Sequence, residues 1–413
     1  MKPMNNEPTH RASVNKGTIC RTVISLLIGL IATACAASSA ATKPPTPSAT
    51  SQPFNNHPTP QSPNHLTTPT PTPQPPTPTP TSTPTSTPQP PPPTPTPTPT
   101  PTPSLRQLTS GGCCVQPFFS PDSRQVLYLD KPSTDPPVGI YGLNLADPQP
   151  TPILVNKTIG FRSADRTLVI TMAGDLARLV NEKTGQTWSV DTGGNSPSIS
   201  PDNRRLIWTA TDQDGPYDRR RSDVWLANID GSQPRLLLSL YGGGFSGWFP
   251  DSQRLLFVGR DNPDLEEVTL FVYDLQTGQR LNLFSHKHLR GIEVSPGGAW
   301  IVYFIAFADT PADNGVWVIK ADGTARHQLD VPGFGAYRWR NDDTLLYIPM
   351  RASAEDSMQL WAVGAASGQG HPLTNPAALP FSIANGDWGV SPNGRYVVFV
   401  SSSDQNIWLI TLP

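Results

Sequence analysis

A short phrase built around a Ser-Pro-Asp turn recurs along the second half of this chain. It is clearest at residues 119–128, where Ser120-Pro121-Asp122 precedes an apolar run. Further copies of the turn begin at Ser163, Ser200, Phe249, Ser295, Arg340 and Ser391. Successive copies are therefore 37 to 51 residues apart. A period in this range, carried by strand-type sequence, is typical of stacked units of four short strands.

Each unit has the same internal order. An apolar strand follows the turn, and after a polar loop comes an aromatic-rich third strand such as residues 224–229. Asp-Gly and Thr-Gly pairs then close hairpins to a fourth strand, at Asp230-Gly231, Thr277-Gly278 and Asp322-Gly323. The pattern predicts an all-β fold, a single β-propeller with seven four-stranded blades, with six or eight blades left open.

The two ends of the repeat region predict how the ring closes. The last unit stops after its third strand, at residues 406–410, whereas residues 105–109 are a spare segment with the pattern of a fourth strand. Pairing this N-terminal strand into the last blade would close the ring and remove the free edges that an open sheet must protect.

The turn, the Trp-bearing third strand and the Leu-Thr-like fourth strand resemble the WD40-like repeat of the TolB propeller. They are also similar to the non-catalytic propellers of prolyl-oligopeptidase-type peptidases. The resemblance covers residues 105–413 and implies the propeller fold. The chain departs from these relatives because no α/β domain precedes the repeats and no hydrolase domain follows them, so a partner-binding surface is not carried over.

The first 34 residues have the order of a secretory signal peptide. Basic residues precede the apolar run 23–31, which is short for a membrane span and ends in Ala32-Thr33-Ala34-Cys35. These four residues resemble a bacterial lipobox, in which Cys35 would become the lipid-modified N-terminus. Leu is usual where Ala32 stands, and ordinary cleavage after an Ala-x-Ala site remains the alternative. Either way we expect an exported protein, and with lipid on Cys35 it would be anchored at the cell surface or the periplasmic face of a membrane.

Residues 35–104 are predicted to be a disordered linker rich in Pro and Thr. The stretch 43–104 holds half of the 50 prolines in the chain. Such a tract forms no core and favours polyproline II, which at roughly 3.1 Å per residue would reach on the order of 190 Å if stiff. The remaining residues, 105–413, form the predicted propeller domain.

The overall charge restricts the classes of partner. The formal net charge is -2 and the isoelectric point about 6.4, which does not favour nucleic acid. We expect a monomer that contacts the membrane through its lipid and binds a protein, a peptide or a glycan. No cofactor and no metal site is predicted.

Two cysteines stand side by side in the propeller region. Cys20 would be removed with the signal peptide, and Cys35 would be modified by lipid. Cys113 and Cys114 then have only each other as intramolecular partners in an oxidising compartment. A vicinal disulfide would be strained, because neighbouring Cα atoms lie about 3.8 Å apart. The alternative is a pair of buried thiols.

The fourth-to-first-strand connections should all open on one face of the propeller, around its axial channel. That face is the predicted binding face, because loop-length variation and unusual residues concentrate there. The candidate residues are Tyr241, Phe245, His286, His288, Phe334 and Trp388. His286 and His288 alternate as metal ligands sometimes do, but no third ligand is evident, and solvated histidines are favoured.

No catalytic motif was found: there is no Gly-x-Ser-x-Gly elbow, no His-Glu-x-x-His and no Walker-type loop. The leading hypothesis is a surface-tethered, non-enzymatic propeller that binds through its channel face. The competing hypothesis is a hydrolase or lyase of extracellular polymers, with carboxylates and Arg290 or Arg338 converging in the channel.

Overall fold

The structure is a computed structural model that describes residues 102–112, 114–131, 137–351, 353 and 356–413. The chain divides into two units, Met1–Pro92 and Pro93–Pro413, and all described residues belong to the second. The predicted signal peptide, Cys35, Cys113 and residues 35–101 of the predicted linker lie outside the described residues.

The described strands, numbered along the chain, form six antiparallel sheets in a propeller-like ring. Five of the sheets have four strands each. The first contains β2 (Val115–Phe119), β3 (Gln125–Asp130), β4 (Gly139–Asn144) and β5 (Ile153–Asn156). The second contains β6 (Phe161–Arg162), β7 (Leu168–Ala173), β8 (Leu176–Asn181) and β9 (Thr187–Asp191). The third contains β17 (Leu289–Val294), β18 (Trp300–Ile305), β19 (Gly315–Lys320) and β20 (His327–Gln328). The fourth contains β21 (Gly335–Trp339), β22 (Thr344–Pro349), β23 (Trp361–Gly364) and β24 (Gly370–Pro372). The fifth contains β25 (Ile383–Val390), β26 (Tyr396–Ser401), β27 (Ile407–Thr411) and β1 (Ser104–Gln107).

The predicted count of seven four-stranded blades is wrong, because the sixth sheet is continuous over seven strands. Its strands are β10 (Ser198–Ile199), β11 (Arg205–Thr211), β12 (Arg221–Asn228), β13 (Arg235–Trp248), β14 (Arg254–Arg260), β15 (Val268–Asp274) and β16 (Arg280–His286). The seven turn copies are thus spread over six sheets, five of which are separate four-stranded blades.

The cause is the long strand β13. The sequence predicted a loop at residues 241–245, but here the chain stays extended and pairs with β12 on one side and with β14 on the other. Tyr241 is the crossing point, because it is opposite both Arg221 and Arg260. Register shifts between Tyr241 and Gly244 and between Phe245 and Gly247, with a φ of +65° at Gly242, let the strand bend without leaving the sheet.

The recurring turn is held by its own side chains. Ser120 Oγ donates a hydrogen bond to Asp122 Oδ1 at 2.6 Å and accepts one from the Gln125 N–H at 3.0 Å. Asp122 Oδ1 also accepts from the Arg124 N–H at 3.1 Å. The same bonds recur in the turns that begin at Ser200 and Ser391. The Ser-Pro-Asp turn therefore reverses the chain between the first two strands of a sheet by hydrogen bonds within the turn itself.

The predicted ring closure is confirmed. β1 pairs antiparallel with β27, from Ser104 opposite Thr411 to Gln107 opposite Trp408. The N-terminal strand thus completes the last sheet as its fourth strand.

The two faces of the ring carry different connections. We call the face with the Ser-Pro-Asp turns the turn face, and the opposite face, with the second-to-third and fourth-to-first connections, the loop face. The chain enters β1 at the turn-face end, because Ser104 is opposite Thr411, the last residue of β27. The hydrophobic core lies between neighbouring sheets, as in Phe284 on β16 and Tyr303 on β18, whose stacked rings have centroids 5.9 Å apart.

Apart from two 3-10 turns, Tyr217–Arg219 and Pro311–Asp313, the described elements are all strands. Within the described ranges, no helix is long and apolar enough to cross a bilayer.

Candidate functional site

The wall of the channel is formed by the first strand of each four-stranded sheet, together with β10 and the end of β13 of the seven-stranded sheet. Side chains along these strands alternate between the channel and the space between sheets, as the strand period requires. On β21, Ala336 is exposed, Tyr337 is buried and Arg338 is half-buried. The same alternation occurs over Gln116, Pro117 and Phe118 of β2 and over residues 387–389 of β25. The residues two and four positions before each turn therefore face the channel.

One side of the channel wall is charged. Arg338 Nη1 on β21 lies 3.3 Å from Glu293 Oε1 on β17, and the Arg338 guanidinium lies 5.5 Å from the ring centroid of Trp388 on β25. Asp387, next to Trp388, accepts a long hydrogen bond of 3.5 Å from the Gln116 N–H on β2. These contacts link β17 to β21, β21 to β25 and β25 to β2.

Both carboxyl groups of this network hold their protons more tightly than usual. Burial raises the pKa of Glu293, although the Arg338 guanidinium opposes the shift. Burial also raises the pKa of Asp387, against the hydrogen bond from Gln116. The cause in both cases is the concave wall, which removes water from the charged form. Raised carboxyl pKa values in a cleft are characteristic of functional sites, although structural networks produce them too.

The inner strands also carry aromatic side chains. Phe118 on β2 is half-buried, and Phe161 on β6 has 49% of its surface exposed. Phe245 at the end of β13 packs edge-on against Trp248 and Phe257, with each pair of centroids 5.9 Å apart. The inner strands therefore carry aromatic side chains as well as charged ones.

Large exposed hydrophobic side chains are concentrated on the loop face. Twelve such residues occur among the described residues, and seven of them lie on or beside loop-face connections. The seven are Val138, Ile159, Leu176, Leu265, Phe307, Phe334 and Met350. Of the other five, Phe161 lies on an inner strand, Ile153, Val155 and Leu281 lie on outermost strands, and Leu236 lies in the first part of β13, which pairs only with β12. Over the described ranges, the turn face has none.

The predicted candidate residues are not equally accessible. Phe334 is 43% exposed and contacts Phe304 edge-on at a centroid distance of 5.0 Å. Tyr241 and Phe245 are half-buried in β13. Trp388 is only 6% exposed, so its ring supports Arg338 rather than forming free surface.

His286 and His288 lie side by side at the loop face. Their ring centroids are 5.9 Å apart, and His286 Nδ1 accepts a hydrogen bond from the His288 N–H at 3.1 Å. Burial, followed by the neighbouring His286 and Arg290, lowers the pKa of His288 and favours its neutral form. The described part of the chain contains no cluster of three or more His, Cys, Asp or Glu side chains suited to a metal ion.

Arg260 is a residue that the sequence analysis missed. It is 6% exposed, and its guanidinium donates hydrogen bonds to the backbone oxygens of Asp218 and Leu265. Two long loop-face connections are thereby tied to the end of β14. No local pattern marks Arg260 for this role, because both acceptors are backbone atoms brought close only by the fold.

Cys114 lies on the connection between β1 and β2 on the loop face. It is disulfide-bonded and half-buried, and it packs against the hydrophobic cluster of Phe119 and Tyr128. Its backbone φ is +73°. Since Cys113 lies outside the described residues, the vicinal pairing stays a prediction.

No protein-family model and no curated protein matches this sequence. Among solved structures, the chain is similar to an oligogalacturonate lyase from Vibrio parahaemolyticus, with a TM-score of 0.53 and 14% identity over 76% of this chain and 97% of that one. It is also similar to an oligogalacturonate lyase in complex with manganese, with a TM-score of 0.50 and 13% identity over 75% and 91% of the two chains. A putative TolB from Agrobacterium tumefaciens aligns over 72% of this chain and 90% of its own, with 16% identity and a TM-score of 0.35. At such identities the likeness to the two lyases shows a shared β-propeller fold and nothing about activity.

Proposed function

We propose that this protein is a non-enzymatic β-propeller that binds a protein, peptide or glycan through its loop face. The observation that carries the proposal is the distribution of exposed hydrophobic side chains. Exposed apolar side chains that gather on one face of a domain are characteristic of interaction sites. Aromatic anchors such as Phe307 and Phe334, exposed by 81% and 43%, are the residue type that contributes most to protein and peptide binding.

We further propose that the propeller is exported and tethered by lipid on Cys35, with residues 35–104 as the spacer. The entry point of β1 supports this arrangement, because Ser104 lies at the turn-face end of the last sheet. The spacer length, on the order of 190 Å if fully stiff, would carry the domain well clear of a membrane.

The loop-face proposal predicts a large loss of binding on removing two exposed anchors. We would select peptides from a random display library against the full chain and measure their affinities for a Phe307→Ser, Phe334→Ser double variant. We expect binding to weaken by roughly 10-fold or more, because truncating an aromatic anchor typically costs about 2 kcal/mol.

The matched control is a Leu236→Ser, Leu281→Ser double variant, whose side chains are each 45% exposed on β13 and β16. Its peptide affinities should stay within about twofold of the original chain, since exposed substitutions away from an interface have small effects. Equal losses in the two variants, or a library that yields no binder, would contradict the proposal.

One observation favours an enzyme as the second candidate function. The channel combines two carboxyl groups of raised pKa with the Arg338 guanidinium, and two structures of similar fold are oligogalacturonate lyases. The carboxyl groups of Glu293 and Asp387 could exchange a proton with a bound polymer, because raised pKa values bring their titration closer to neutral pH.

A lyase assay distinguishes the two proposed functions. The chain is incubated with oligogalacturonates, with and without Mn²⁺, and the unsaturated product of a lyase reaction is followed by its absorbance. We expect no turnover. Turnover that falls at least 100-fold in Glu293→Gln, but not in the exposed loop variant Asp212→Asn, would replace the binding proposal by the enzymatic one. The size of that fall is the usual minimum for losing a general acid or base.

A further inference from the structure

One turn of the repeat carries an arginine where the other turns carry small residues. The fourth residue of the turn has a left-handed backbone conformation in six of the seven copies. In five of these it is Ser123, Asn203, Ser252, Gly298 or Gly394, and in the turn after β6 it is Arg166, with a φ of +59°. A long side chain is uncommon in this conformation. The outlier therefore calls for a local reason.

The Arg166 side chain reaches across to the neighbouring sheet. Its guanidinium carbon lies 4.1 Å from the ring centroid of Phe118 on β2, and Arg166 is half-buried there. Phe118 lies two residues before its turn, at a channel-facing position. Arg166 is thus placed at the turn-face end of the channel, with one face of its guanidinium held on an aromatic ring.

The positive charge of Arg166 is not balanced by the groups around it. The nearby Arg162 is neutralised by Glu182, with Nη1 and Oε2 2.6 Å apart. Among the described residues, Arg166 forms no ion pair and its side chain donates no hydrogen bond. Burial, assisted by the charge of Arg162, lowers the pKa of Arg166 to about 10.

The neighbouring carboxylate of Asp165 is hydrogen-bonded to residues other than Arg166. Asp165 accepts hydrogen bonds from Ser163, Thr167 and, on the next sheet, Asn203. Burial alone would raise the pKa of Asp165, yet these hydrogen bonds hold it at about 2. Asp165 is therefore a structural acceptor of its own turn and leaves the guanidinium of Arg166 without a counter-charge.

We propose that Arg166, held on the ring of Phe118, is an oxyanion-binding site at the turn-face end of the channel. The ligand it takes is a carboxylate or a phosphate group. A guanidinium that stacks through one face keeps the N–H groups along its edge free, and these match the two oxygens of such an anion. The site lies at the opposite end of the channel from the loop face, so its failure would leave the proposed function untouched.

The test measures binding of two small anions to the full chain by calorimetry at low ionic strength. The probes are inorganic phosphate and acetyl-Gly-Gly with a free carboxylate, and acetyl-Gly-Gly-amide is the uncharged reference. The test variant is Arg166→Ser, because Ser occupies the equivalent left-handed position at Ser123 and Ser252, so the turn should fold normally. The control is Arg124→Ser, which removes an arginine that is 84% exposed on a neighbouring turn.

We expect the original chain and the Arg124→Ser variant to bind at least one anionic probe, and Arg166→Ser to bind it roughly 10-fold or more weakly, since charge-assisted hydrogen bonds are lost. Binding of phosphate alone would identify a phosphate site, and binding of the free peptide but not its amide would identify a carboxylate site. Equal affinities of the original chain and Arg166→Ser, or no binding of either anion, would overturn the proposal.

Discussion

Deleting residues 105–109 is expected to lower the melting temperature of the propeller on the order of 10 °C. The deletion removes most of β1 and exposes the edge of β27. It also removes Leu108, which is 5% exposed, and the hydrogen bonds by which Leu108 and Thr109 hold the backbone of Ile407, each 2.8 Å long. A loss of several kcal/mol in the free energy of unfolding shifts the melting temperature of a domain of this size by about that amount. Thermal unfolding followed by circular dichroism measures it.

The control deletion is residues 43–100, which ends before the first described strand. This variant should melt at the same temperature as the original chain, because the removed segment is not part of the ring closure. If both deletions melted alike, the pairing of β1 would contribute little to stability and closure would have another basis.

Replacing Cys35 by Ala is expected to move most of the protein from the membrane fraction to the soluble exported fraction. The variant cannot receive lipid at the proposed position. The acyl chains of a bacterial lipoprotein hold it firmly in a membrane, whereas a single chain would hold it only marginally, so the shift should be large. Fractionation of the producing cells followed by immunoblotting measures the change.

Cys20→Ala is the matched control, because this cysteine lies within the predicted signal peptide. Its partitioning should not change. A Cys35→Ala variant that stayed in the membrane fraction would argue for an uncleaved signal anchor instead of a lipid.

The architecture was predictable because its information is local. The Ser-Pro-Asp turn forms hydrogen bonds within six residues, so its spacing alone predicted repeated sheets. The spare N-terminal strand was recognisable because the last unit stops one strand early. The number of separate blades was not predictable in this way, because Tyr241 and the glycines after it are equally compatible with a loop and with the bent strand that β13 forms.

The sequence predicted which face of the propeller carries the candidate site, but not which of its residues are exposed there. The connections that form the loop face follow from strand order, and Phe334 lies among them as an exposed aromatic residue. Trp388 was expected on the same surface, yet it is buried beneath Arg338. The pattern of a strand shows which residues alternate, but it does not show which side of the strand a neighbouring sheet will cover.

By itself, the sequence determined the repeat, the turn chemistry and the closing strand, because each depends on residues close together in the chain or on the count of strands. Only the tertiary structure decided the contacts between sheets. The Glu293 to Arg338 pair spans 45 residues, Arg166 meets Phe118 across two sheets, and Arg260 ties together two separate loops. These contacts depend on how neighbouring sheets pack, and such long-range packing leaves no periodic signal in a single sequence.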